Sequence, residues 1–135
     1  MLFLNSTTIF PFAFNPENVD SREVVFEDRE TLTVNFDMTV EEAPECAAVA
    51  AIYDTPKHFN ELKFNFHQEG EPLNITVELK TLCNGNLIKF REQNVSSNGC
   101  AEFFNIEKDI KEIVFCCWRA NNKGKKGNIR IKASW

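Results

Sequence analysis

The sequence predicts an all-β chain folded as a two-sheet antiparallel sandwich, and three observations carry that expectation. Apolar residues recur at every second position in run after run, the period of a strand with one buried face. Clusters of Gly, Pro, Asn and Ser separate these runs at the even spacing of a sandwich or jelly roll. Thirteen Phe among 135 residues, of which 43% are hydrophobic, supply enough apolar surface for one core.

Taken in order, short strands are expected at 10–14, 23–27 and 47–53, the alanine run at 47–51 also suiting a helical turn. Between them, Leu32, Val34, Phe36, Met38 and Val40 alternate with Thr33, Asn35, Asp37 and Thr39. Leu62, Phe64 and Phe66 then alternate with Lys63, Asn65 and His67. After the turn QEGEP, Leu73, Ile75, Val77 and Leu79 alternate with Asn74, Thr76, Glu78 and Lys80, so the two runs read as a hairpin. Beyond CNGN another strand runs from 86 to 93, and SSNG breaks it before a Phe-rich strand at 101–106. The apolar stretch IVFCCW and the alternation Ile129, Ile131, Ala133, Trp135 give the last two strands, joined by the basic glycine turn NKGKKG. About nine strands result, and the inward set is Leu32, Val34, Phe36, Leu62, Phe64, Phe66, Ile75, Val77, Ile113, Phe115, Ile129 and Ile131.

No repeat, low-complexity tract or linker interrupts the chain, so residues 1–135 are expected to form a single domain. No window approaches the roughly 20 apolar residues that span a bilayer. The opening MLFLNSTTIFPFAF lacks the basic start and small-residue cleavage site of a signal peptide. A soluble chain without a membrane partner is expected. A formal charge of −5 argues against nucleic acid as a partner, since it repels phosphate backbones. The basic residues nevertheless concentrate between Lys80 and Lys132, a bias that a solvated surface accommodates.

Five cysteines, Cys46, Cys83, Cys100, Cys116 and Cys117, show no CxxC and no Cys/His spacing of a zinc site. Adjacent in a strand, Cys116 and Cys117 point to opposite faces, so spacing and parity scatter the thiols and no metal site is expected from them. Cys83 and Cys100 bracket a polar segment that a disulfide between them would close.

Nucleophilic catalysis needs a base beside the nucleophile, and only His58 and His67 are available, neither in a recognisable motif. GxSxG, GxGxxG and the phosphate-cradling GxxxxGK[ST] are all absent. The expectation is a binding protein, not an enzyme. Trp118 has the parity opposite to Phe115 and so a route to the surface beside Arg119, Asn121, Asn122 and Lys123. An indole among forked polar groups suits sugar recognition, because its flat apolar face stacks on a pyranose ring while amides and charged groups bond the hydroxyls. The outward residues Asn65, His67, Thr76, Glu78, Lys89, Arg91 and Gln93 would extend that face. Loops near Tyr53 and Asn121 are a second place for the site. A structural or protein-interaction sandwich is the competing class, and exposed apolar patches would mark it.

The stretch HFNELKFNFHQEGEPLNITVELKT, with AEFFNIEKDIKEIVFCCW and the closing GKKGNIRIKASW, resembles the jelly-roll, galactose-binding-like carbohydrate-binding modules attached to bacterial polysaccharide-degrading enzymes. A strand of the type L-x-F-x-F leading to L-x-I-x-L, then F-x-I-x-x-D-I-K-x-I-x-F, a Gly turn and G-x-I-x-I carry the likeness over residues 58–135. The resemblance implies a secreted, extracellular and non-catalytic module that holds an appended catalytic domain on plant or microbial polysaccharide. Structural calcium is frequent in such sandwiches, and EEAPE and the region 20–28 offer carboxylates, but no ligand spacing marks a site and no cofactor is expected. The KASW ending and the five cysteines depart from the pattern.

Overall fold

The computed structural model describes residues 24–26, 31–39 and 45–135. The strand expected at 10–14 lies outside these residues. Nine strands are described: β1 (Val24–Phe26), β2 (Thr31–Asp37), β3 (Cys46–Lys57), β4 (Glu61–His67), β5 (Asn74–Cys83), β6 (Asn86–Ser96), β7 (Cys100–Phe104), β8 (Ile110–Trp118) and β9 (Lys126–Ser134). One short helix, α1 (Arg119–Asn122), stands between β8 and the expected turn NKGKKG, where the sequence suggested no helix. The alanine run is strand, in β3.

The strands form two antiparallel sheets, β1-β2-β9-β4-β7 and β3-β8-β5-β6, packed as a sandwich. Their pairing is nested: β2 with β9, β3 with β8, β4 with β7 and β5 with β6. The chain is thus one long hairpin rolled across two sheets, the connectivity of a jelly roll. Its central turn is Asn84-Gly85, flanked by the pair Cys83 and Asn86. Both turn residues have positive φ, 52° and 78°. That is the two-residue turn whose twist matches the strands, and Asn-Gly is its preferred sequence.

All twelve residues expected inside are buried in the core between the sheets. Alternation places them there because successive side chains of a strand point to opposite faces. Phe64 stacks edge-on against Phe115 across the sheets at 5.2 Å and against Phe103 at 6.4 Å. Tyr53 is also fully buried, 6.1 Å from the Phe59 ring, and burial raises its hydroxyl pKa far above the usual phenol value.

One close approach constrains β9. A Cβ on Gly127 would lie 2.1 Å from Nε2 and 2.4 Å from Cδ of Gln68. Gln68 is buried, and its Nε2 donates to the Glu71 carbonyl at 2.8 Å, so its amide cannot swing aside without losing that bond. Gly127→Ala is therefore expected to lower unfolding free energy by about 1–3 kcal/mol through overpacking. Urea denaturation checks this, and the double variant Gly127→Ala/Gln68→Ala should recover part of the loss.

Candidate functional site

The outward face of the four-stranded sheet divides by chemistry. On β3 and β8 it is apolar and small: Ala50 lies opposite Val114 and Ala48 opposite Cys116. On β5 and β6 it is polar, with Glu78 opposite Glu92 and Thr76 opposite Asn94. Trp118 closes one end of this face, and 40% of it is exposed. Together with Asn121 and Ala120 of α1 it borders a shallow hollow of about 350 Å³, floored by Thr76, Glu78, Lys89, Glu92 and Asn94.

The polar groups of the hollow are already organised. Lys89 Nζ lies 2.7 Å from Glu92 Oε2 and 3.8 Å from Glu78 Oε2, and the Glu92 hydrogen bond raises the Lys89 pKa. Thr76 Oγ1 donates to Asn94 Oδ1 at 2.7 Å. That bond uses the acceptor side of Asn94, whose amide nitrogen is a donor group. Trp118 is held from below: Asn122, wholly buried, donates through Nδ2 to the Trp118 carbonyl at 2.8 Å and to the Asn74 carbonyl at 3.0 Å, and accepts the Asn74 N–H at 2.7 Å. Asn122 thus ties α1 to β5. The sequence reading took it for a polar surface neighbour, and only its place in the turn after β8 reveals the lock.

The single face expected from alternation is divided. Trp118, Glu78 and Asn121 come together at the hollow. Asn65 and His67 point outward from β4, in the other sheet, on the far side of the sandwich. There His67 lies opposite Arg130, and with Thr33, Gln68, Glu69 and Asn128 the pair lines a separate hollow of about 290 Å³. Arg91 and Gln93 are a correction of another kind. A bulge between Leu79 and Lys80 shifts parity along β6, so Gln93 faces Val77 and Arg91 faces Leu79, both core residues, while Lys89 remains outward. The two side chains cross the seam to β7. Gln93 Nε2 donates to the Glu102 carbonyl and its Oε1 accepts the Glu102 N–H at 2.9 Å, while Arg91 Nη1 donates to the Phe104 carbonyl at 3.1 Å. They occupy backbone groups that an edge strand would otherwise expose. Tyr53, buried in the core, is not a surface residue of any loop.

All five cysteines are free thiols, so Cys83 and Cys100 do not close their segment. Cys116 and Cys117 do face opposite ways, Cys117 into the core and Cys116 outward. Burial pushes the Cys117 thiol up to about 12. The expected scatter fails at one point, because pairing of β3 with β8 sets Cys46 beside Cys116 in the same outward cluster. Among the described residues no group of three or more His, Cys, Asp and Glu gathers as a cation site. Comparison with family models, curated proteins and solved structures finds no match to this chain.

Proposed function

We propose that this chain binds a polysaccharide without transforming it, through the hollow beside Trp118, and that it serves to hold an attached enzyme on that substrate outside the cell. The observation that supports this reading most is the half-open Trp118 indole at the rim of a hollow floored by Glu78, Lys89, Glu92 and Asn94. A sugar ring has an apolar face and a fringe of hydroxyls. The indole serves the first, and the amide and charged groups serve the second. The hollow is shallow, which suits a stretch of chain lying across the sheet better than an enclosed monosaccharide.

Energetics set the strength. Stacking adds about 0.5–1.5 kcal/mol beyond burial. Each hydroxyl bond replaces one to water and nets about 1 kcal/mol. Binding should be micromolar or weaker and should depend on several sugar units. In affinity electrophoresis through gels containing soluble polysaccharides, Trp118→Ala is expected to lose most of the retardation of the parent. Trp135→Ala, at an exposed tryptophan bordering other hollows, should keep it. Equal retardation of the parent and Trp118→Ala would place the ligand elsewhere.

A protein-interaction module is the second reading, and one observation favours it. The tip of the β5–β6 hairpin exposes Leu82, Leu87 and Ile88, each more than 40% accessible, with Leu82 directly opposite Leu87. Absence of retardation on every polysaccharide would move the weight to this tip.

A further inference from the structure

Cys46 and Cys116 are far apart in the chain and meet only through the pairing of β3 with β8. In that register Cys46 faces Trp118 and Ala48 faces Cys116, so the two cysteines are diagonal neighbours on one outward face. Both belong to the cluster of Ala50 and Val114, Cys116 buried and Cys46 half-buried. Diagonal neighbours in a sheet have Cα atoms about 7–8 Å apart. A disulfide needs them within roughly 7 Å unless the backbone moves. The thiols still interact: Cys116 hydrogen-bonds to Cys46, which lowers the pKa of Cys46 and raises that of Cys116. Two thiols thus meet on one face where a covalent bond between them is disfavoured.

A soft cation can bridge two thiol sulfurs that the strand register sets side by side on one face. Zinc prefers four ligands, and no third His, Cys, Asp or Glu joins these sulfurs among the described residues. Cuprous ion is soft, favours thiolate and accepts two ligands in line. We propose that Cys46 and Cys116 form a two-coordinate site for one cuprous ion. Binding breaks two S–H bonds and forms two Cu–S bonds, releasing two protons with no change in oxidation state. The resulting bis-thiolate complex carries one negative charge. Lys80 on β5 offsets that charge and Glu78 opposes it; both are electrostatically coupled to the pair. Ala48 and Ala50 lend no bulk to block the approach across β3.

The test uses reduced protein under anaerobic conditions, titrated into the cuprous complex of bicinchoninate, whose colour fades as copper is withdrawn. The parent should withdraw one equivalent, and Cys83→Ser and Cys100→Ser should do the same. Cys46→Ser, at a half-buried position that tolerates the change, should weaken uptake by more than the roughly 10- to 100-fold that follows loss of a supporting partner alone. Cys116→Ser should match it. No withdrawal by the parent, or full withdrawal by Cys46→Ser, would overturn the site. So would a loss of two mass units in Cys46–Cys116 peptides after mild oxidation, since a disulfide that forms readily requires a closer approach than the diagonal allows.

Discussion

Phe64→Ala is expected to cost about 3–5 kcal/mol of unfolding free energy, the range for emptying a fully buried phenylalanine site. Phe64 is wholly buried on β4, and its ring meets Phe115 from the opposite sheet and Phe103 from the neighbouring strand, each nearly edge-on. Those contacts account for part of the loss, since edge-to-face pairs contribute about 0.5–1.5 kcal/mol beyond area. Phe115 also touches Phe66 at 6.0 Å, so the cavity would open at the centre of an aromatic cluster with little freedom to collapse. For a domain whose total stability is typically about 5–15 kcal/mol, that loss is a large fraction of the whole. Guanidinium denaturation followed by tryptophan fluorescence measures it, and a loss under 1 kcal/mol would contradict the packing described.

Asn122→Ala should follow, at about 2–4 kcal/mol, because it removes the side-chain partner of both backbone groups of Asn74 and a bond to the Trp118 carbonyl. The carbonyls of Trp118 and Asn74 and the N–H of Asn74 all bond to the one buried amide. An unsatisfied buried polar group costs about 1–3 kcal/mol, and water entering the vacated space repairs some of it. Asn122→Asp is the sharper variant. It keeps the acceptor for the Asn74 N–H but sets a carboxylate against two carbonyls, so it should be no more stable than Asn122→Ala at neutral pH. Both variants should also blunt any polysaccharide retardation, since α1 carries Asn121 and Ala120 at the border of the hollow. A variant that unfolds at the parental denaturant midpoint would show that the lock bears no weight.

The strands and the core were legible because both depend on local alternation. A β-strand repeats every two residues, so Phe36, Phe64 and Ile131 announce their faces without reference to distant sequence. The candidate site was only partly legible, and each failure has a physical origin. Parity counted through a bulge inverts, which is why Arg91 and Gln93 face the seam with β7 instead of the hollow. Alternation says which face a residue takes within its own sheet but not which sheet carries the strand, so Asn65 and His67 could not be separated from Trp118 beforehand. Cys46 and Cys116 meet through a pairing register, and registers are set by the whole fold. The helix Arg119–Asn122 went unread because one helical turn has too few positions to display a 3.6-residue period.

The nested pairing of the strands also bears on the order in which the chain can assemble. Contacts between distant segments dominate a fold of this kind, and such folds form in milliseconds to seconds, slower than helical ones. Nesting lessens the handicap. Once Asn84-Gly85 closes β5 on β6, the ends leading to β4 and β7 already lie near each other, and the loop still to be closed is shortened by the length of the finished hairpin. The same holds for β3 with β8, and then for β2 with β9. Closure entropy grows with loop length, by about 0.6 kcal/mol per doubling, so assembly outward from Gly85 avoids the largest penalty at every step. β9 sits between β2 and β4 in the finished sheet, yet by this route it joins last, and until it does its neighbours keep unpaired edges on which a second chain could template.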